Sequence, residues 1–499
     1  MGLRHSPTLA SARRAALAAA LVVGLSGCVT RELAHAPATP DKPWSVPGDS
    51  KYTRALREAS QAPTGSDAAA QNGASFEPGR AYDLPELIDI AERHHPETRE
   101  AWEQARQAAL AIGLAEHTYL PQISANVVAG FQHTPLPIPR TLVPAGYFTA
   151  DSRELIPLLA ANWLLFDFGR REAQVREAKE KSFVANVAFT GAHQKVIYAV
   201  CRDYFALGAA RAHRRDAETA TKNAQLAQDT SESRQTHGLA TVVEVAQARR
   251  QTAQARFNVV RALGAERTAY SALVASMGVE PNIPIGVADQ PDLPLPAAPM
   301  QNVRALLEEA LVQRPDVVAA LGKVRAAEAN LRSEQATYWP QIAVSAQIYQ
   351  NVGGISTEGS PYYTVNNPGA NALLSLDWPL FDAGARAARV AIARSQISAA
   401  RAGRDGARDS AIADVTTAYD QLQTSFAEYQ AAVIVEGAAA TTLDAAIDSY
   451  RSGVGVLNDV ITAENALSEA EWEKANARSN VFTSAAALAF ATGAITSRR

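Results

Sequence analysis

Asp167-Phe168-Gly169 spells the triplet with which protein kinases hold magnesium, and it invites a reading as catalytic machinery. A kinase also needs a His-Arg-Asp loop and a glycine-rich loop over the phosphates, and the chain has neither. Asp167 and its counterpart Asp382 read better as caps at strand-to-helix turns, where a carboxylate accepts orphan backbone N–H groups. His94 and His95 have no acid or cysteine at ligand spacing, so no metal site is read there. Nothing combines nucleophile, base and oxyanion donor; no catalytic residues and no enzyme activity are expected. Two further acids, Glu244 and Asp459, follow Gly238 and Gly453 by six residues each, at the start of returning helices. The simplest work for a first-turn acid is to complement the helix dipole.

Cys28 suggests a different chemistry. Arg4, Arg13 and Arg14 precede an apolar run over residues 15–25, too short to span a bilayer and legible as a secretion signal. Leu25-Ser26-Gly27-Cys28 resembles a bacterial lipobox, in which the signal is cut before the cysteine and the thiol is lipidated. That covalent lipid is the only cofactor-like group expected. Val29, in place of an aspartate, favours sorting to the outer membrane by the same resemblance. Residues 1–27 are therefore read as signal peptide and 28–80 as a lipidated tether, rich in Ala, Pro, Ser, Gly and Asp without apolar periodicity. Loss of residues 1–27 leaves 44 basic against 51 acidic side chains, a balance of −7 that does not suit a nucleic-acid partner. Cys201, the only other cysteine, lies in a helical stretch, so there is no disulfide framework. No apolar run after residue 28 is long enough for a transmembrane helix; the mature chain can cross a membrane only with strands.

The elements that position these residues occur twice. Tyr119-Leu120-Pro121-Gln122-Ile123 returns as Tyr338-Trp339-Pro340-Gln341-Ile342, 219 positions later. After each, apolar residues alternate with polar ones: Ile123, Ala125, Val127, Ala129 and Phe131 in the first copy, Ile342, Val344, Ala346 and Ile348 in the second. Roughly 10 residues of such alternation are what a tilted strand needs to cross a bilayer. Beyond the first strand the offset becomes 215, pairing Trp163 with Trp378, Phe166-Asp167 with Phe381-Asp382, Tyr204 with Tyr419 and Gly238 with Gly453. Segments 133–152 and 353–369, with their Pro, Gly and Asn, read as the outer loops between strands.

Proline is absent from 158–280 and from 380–499, and both stretches are expected to be helical. They divide at His237-Gly238 and at Gly453-Val454-Gly455, where glycine turns the chain back. The first helix, from near Gly169 to His237, would be about 100 Å long. Ile412, Val415, Tyr419, Leu422, Phe426, Tyr429 and Val433 step by three and four, a coiled-coil seam; in the first half Ile197, Val200, Tyr204 and Leu207 match it before it reaches Arg211. The chain thus reads as a first repeat (81–280), a proline-rich linker (281–300) and a second repeat (301–495), each with two strands. Four strands cannot close, and an open sheet edge cannot sit in lipid, so the barrel must be completed by other copies.

The twin Tyr-x-Pro-Gln-Ile and Phe-Asp-x-Gly elements, the repeat, the lipobox and the turn Tyr450-Arg451-Ser452-Gly453-Val454 resemble the TolC-type outer-membrane factors, especially their lipoprotein branch, over about residues 80–495. The resemblance implies a mixed α/β membrane protein: a homotrimer with a twelve-stranded β-barrel continued by a long periplasmic barrel of coiled-coil helices. It implies an exit duct in the cell outer membrane, passing drugs or other small molecules from an inner-membrane pump of the RND type and a periplasmic adaptor. The adaptor would dock on the turns at His237, Gly238 and Leu239 and at Gly453, Val454 and Gly455. It implies a periplasmic gate of carboxylates, with Asp459 at the first of two gate positions, Thr462 where the second acid is usual, and Glu244 supplying charge from the other helix pair. A channel for type I protein secretion is the alternative within the family, and a structural periplasmic coiled-coil lipoprotein is the alternative outside it. The second would need no alternating strands, which this chain has twice.

Overall fold

The computed structural model describes residues 39, 41–42, 80–279, 285–289, 293–296, 302–357 and 360–495. The proposed signal, Cys28 and nearly all of the tether lie outside the described residues. The first half forms β1 (Ala81–Tyr82), α1 (Leu84–His94), α2 (Pro96–His117), β2 (Gln122–Pro137), β3 (Tyr147–Phe166), α3 (Arg170–Thr236) and α4 (Val242–Ser276). After β4 (Gly286–Val287) in the linker, the second half forms α5 (Val303–Gln313), α6 (Pro315–Ala336), β5 (Gln341–Thr357), β6 (Tyr363–Asp377), α7 (Ala385–Arg451) and α8 (Leu457–Ala491). Helices of 11, 22, 67 and 35 residues recur in the same order in both halves, so the repeat in sequence is a repeat in structure.

Packing divides the chain into two units. The first holds 108–182 and 323–401, centred on an antiparallel sheet in the order β2-β3-β5-β6. Its register carries the alternation across all four strands. Ile123 stands opposite Ala161, Ala161 opposite Ala346, and Ala346 opposite Ala372; Val344 faces both Trp163 and Leu374. Ile123, Val127, Phe131, Leu159, Trp163, Ile348, Leu374 and Leu376 therefore share one face, while Ser124, Asn126, Asn162, Ser345, Gln347 and Asn371 share the other. A soluble sheet would bury the apolar face, yet here Ile123 is 69% exposed, Phe131 63% and Leu374 72%. β2 and β6 pair on one side only among the described residues.

The strands are longer than their alternation suggests, at 16, 20, 17 and 15 residues, and they consume most of the expected loops. Connections shrink from 133–152 to 138–146 and from 353–369 to 358–362. Composition misleads here because pairing overrides it. Pro135, Pro137 and Pro368 sit on the edge strands, where a missing N–H is tolerated. Pro157 sits on a central strand, and the β3–β5 ladder skips two positions between Leu155 and Leu158 without changing register. The expected helical stretch from 158 is corrected for the same reason: 158–166 belong to β3, and the helix begins at Arg170. Lack of proline permits a helix without requiring one.

The second unit holds the described residues up to 107 with 183–322 and 402–495. Its main core joins Leu87 and Ala91 of α1, Val196, Val200, Tyr204 and Leu207 of α3, and Leu273, Val274 and Met277 at the end of α4. Val200, Tyr204 and Leu207, together with Ile197, which is buried in the same core, are the first-half seam. In the second half Val415 and Leu422 are buried with Ala310, Leu488 and Ala491, and Tyr419 and Phe426 lie partly buried against them. Val433 is exposed, and the buried line of α7 runs on instead through Ala432, Leu443 and Tyr450. Arg211, which interrupts the first-half seam, donates to the carbonyls of Val287 and Ala288 and pairs with Glu266. Residues 285–289 of the linker are thus held in place, β4 pairing in parallel with β1 and the Tyr270 hydroxyl donating to the Ile285 carbonyl at 3.2 Å. Cys201 is buried, which pushes its thiol up to about 11 and keeps it unreactive.

Candidate functional site

The two helix turns of the second unit carry most of the residues the sequence singles out. α3 closes with Gly238 at φ 74° and Leu239 N donating to the Arg234 carbonyl at 2.8 Å; α7 closes with Gly453 at φ 81° and Val454 N donating to the Ser449 carbonyl at 3.1 Å. Both are left-handed glycine terminations, a conformation a side chain would strain. The residues just past each glycine face solvent, Leu239 at 69% and Val454 at 87% exposed, and Val242, Val243 and Val456 are exposed beside them. His237 is held by its Nδ1 against the Ser233 carbonyl at 2.8 Å.

The acids behind these turns differ. Thr241 is the N-cap of α4, its hydroxyl accepting from Glu244 N at 3.2 Å while the Glu244 carboxylate accepts from Thr241 N at 2.9 Å. This capping box occupies the Glu244 carboxylate. At the matching start of α8 the N-cap is Val456, which has no side-chain acceptor, and Asp459 stands exposed in the first turn. Thr462 is exposed one turn on, its hydroxyl donating to the Asn458 carbonyl at 2.8 Å. Arg234 joins the two turns: Nη1 donates to the Tyr450 carbonyl at 2.9 Å, and the guanidinium lies 4.8 Å from the Tyr450 ring centroid. The Tyr450 and Ser231 hydroxyls are 3.2 Å apart. Arg234 was not legible in the sequence because the repeat places Ser449, not a second arginine, opposite it.

In the first unit the twin motifs close on themselves. Asp167 Oδ2 accepts from Arg171 N and Nε, both at 3.0 Å, and Asp382 Oδ2 accepts from Arg386 N and Nε, both at 2.9 Å. The turns between strand and helix pass through positive φ at Phe168 and Gly169 and at Ala383 and Gly384. Arg171 also donates to the carbonyls of Thr118, Leu164 and Leu165 and lies 4.7 Å over the Tyr119 ring, while Arg386 lies 5.1 Å over Tyr338. Trp163 Nε1 donates to the Tyr119 carbonyl at 2.8 Å and Trp378 Nε1 to the Tyr338 carbonyl at 3.1 Å. Tyr-x-Pro-Gln-Ile and Phe-Asp-x-Gly are two sides of one clasp. Its arginines, missed in the sequence, stand 215 positions apart and were open to discovery by the offset alone.

Neither histidine of the 94–95 pair joins a ligand set: His95 Nδ1 accepts from Glu97 N at 3.1 Å. No group of three or more His, Cys, Asp or Glu side chains suited to a metal lies among the described residues.

A family model described as outer membrane efflux protein matches the chain twice, over residues 87–279 and 306–494. Protein CyaE of Bordetella pertussis is 27% identical over 386 residues, covering 77% of this chain and 78% of CyaE. The cation efflux system protein CusC of Escherichia coli is 27% identical over 252 residues, 49% of this chain and 52% of CusC. Among solved structures, CusC superposes with a TM-score of 0.70 at 21% identity, covering 92% of this chain and 98% of that one. The outer membrane protein VceC of Vibrio cholerae gives 0.64 at 20% identity, covering 82% and 96%. Two family matches on two halves, and a fold shared along almost the whole of CusC, leave one conclusion: the chain belongs to the outer membrane efflux protein family, and works in efflux at the outer membrane.

Proposed function

We propose that three copies of this chain form a passive exit duct for drugs or other small molecules, fed by a periplasmic adaptor and an inner-membrane pump of the RND type. The observation that carries this reading is the sheet. Its apolar face is exposed across four strands, and β2 and β6 each present an unpaired edge. Lipid is the solvent that tolerates such a face, and only closure tolerates such edges. Joining β2 of one copy to β6 of the next closes twelve strands from three chains. The polar face bearing Asn126, Asn162 and Asn371 then lines the conduit.

The exposed apolar tips, Leu239 and Val454 with their valine neighbours, supply the docking surface for the adaptor. Asp459 supplies gate charge at the α7–α8 turn, with Glu244 and Thr462 as the other gate candidates, and a lipid on Cys28 anchors the chain. A small solute as cargo fits the relatives, of which CusC is named a cation efflux system protein. The cycle draws its energy from the pump, and the duct performs no chemistry of its own.

Purified mature protein in detergent should have the mass of three chains and conduct in planar bilayers. A stable monomer or dimer that still conducts would overturn the reading. Cys28→Ser should abolish lipid labelling, and labelling that survives the change would remove the anchor from the account.

A further inference from the structure

Glu464 occupies a position meant for an apolar side chain. It continues the buried stripe of α8 that runs through Leu457, Val460 and Ile461, and it is only 5% exposed. Those three residues form a core with Leu443 and Tyr450 of α7 and Ala248 of α4 behind the two turns. In this setting Oε1 of Glu464 has no hydrogen-bond partner among the described residues. Gln251 Nε2 of α4 donates to Asn465 Oδ1, the residue next in sequence, at 2.8 Å. The equivalent residue of the first repeat, Arg249, is exposed and pairs with Glu232 at 2.9 Å, so the burial belongs to this half alone.

Among the described residues no charged neighbour compensates Glu464: Arg234 of α3, half-buried, is engaged with the carbonyl and ring of Tyr450. On α3, Lys222 and Asp229 are exposed and Glu232 is bonded to Gln228 and Arg249. On α4, Arg249, Arg250 and Arg256 are exposed; on α7, Asp444 and Asp448 are exposed; on α8 itself Asp459 and Glu469 are exposed. Burial by itself pushes the Glu464 carboxyl up to about 7. A neutral carboxyl fits the apolar core, whereas an ionised one without a partner does not, and must either take a proton or reach water.

We propose that Glu464 is a proton-operated latch on the α7–α8 turn: neutral, it holds the first turns of α8 packed against α7 and α4; ionised, it loosens them. The sign follows from its raised position. Stability contributed by a group raised on folding is fully present below its unfolded value, about 4.5, and is lost as pH rises through about 7. Acid tightens the turn and mild alkali loosens it. The physiological meaning, control of the periplasmic mouth, rests on the duct reading; the latch itself does not.

The test is hydrogen–deuterium exchange on the full-length protein at pH 6 and pH 8, corrected for intrinsic exchange. It follows amides of 450–464, with 196–207 of the α3 core as internal reference. Linkage between 4.5 and 7 predicts that protection of 450–464 falls about tenfold from pH 6 to pH 8 while the reference holds. In Glu464→Gln and in Glu464→Leu that fall should vanish. Wild-type protection that does not change with pH overturns the proposal. So does a fall that persists in both variants, which assigns it to another titrating group. Exchange requires no conduction, so failure of the duct reading would leave this result standing, and the reverse also holds.

Discussion

The α3–α4 and α7–α8 turns use the same repeat positions and finish them differently. Thr241 and Val456 stand 215 apart, as do Glu244 and Asp459. In the first turn threonine caps the helix and draws the glutamate into the cap; in the second, valine cannot, and the aspartate is left exposed. One substitution at an N-cap thus decides whether the acid three residues on is spent on its own backbone or is available to what passes by. The same divergence extends up the helices, where Arg249 faces solvent and Glu464 faces the core.

The largest effect distinguishing the halves should come from the clasps. Asp167 and Arg171 are both about 6% exposed at the side chain, whereas Asp382 is 26% exposed against 8% for Arg386. Asp167→Ala removes the counter-charge of a buried guanidinium and should cost about 3–5 kcal/mol, read as lost thermal stability in detergent. Asp382→Ala, with water at hand, should cost clearly less; equal losses would remove the asymmetry. Next comes the cap. Thr241→Ala should cost about 1 kcal/mol and raise proteolysis at the α3–α4 turn. The smallest effect should be a gain. Val456→Thr combined with Asp459→Glu rebuilds the capping box in the second turn and should stabilise the start of α8 by about 0.5–1 kcal/mol. No gain would show that this turn has a different geometric demand.

Much of this fold is legible in the chain. The twin motifs, the two offsets and the glycine turns mark every long helix and the order of the strands, because each rests on local chemistry: a positive φ, an N-terminal acid, a period of two. Strand length was not legible. Gly353 and Gly354 pair with Arg153, Glu154 and their β6 partners inside β5, a ladder no local signal announces. β4 was hidden in a proline-rich linker for the same reason, its partner lying about 200 residues away in β1. At the two turns, the sequence singles out Asp459 and Glu244, but which of them is drawn into a cap shows only on reading the residue three positions before each. Glu464 was missed because a charged side chain on a helix is ordinarily counted to its wet face.

The inequality of the two turns is tested most directly by ion preference in planar bilayers, measured as reversal potential under a salt gradient. Three exposed aspartates brought together at a mouth favour cations more strongly than glutamates folded back onto their own caps, which keep their charge but turn one oxygen to the backbone. Asp459→Asn should lower the cation preference and the sensitivity to block by multivalent cations, and Glu244→Gln should lower both clearly less. Equal losses in the two variants, or an unaltered preference in Asp459→Asn, would contradict the account.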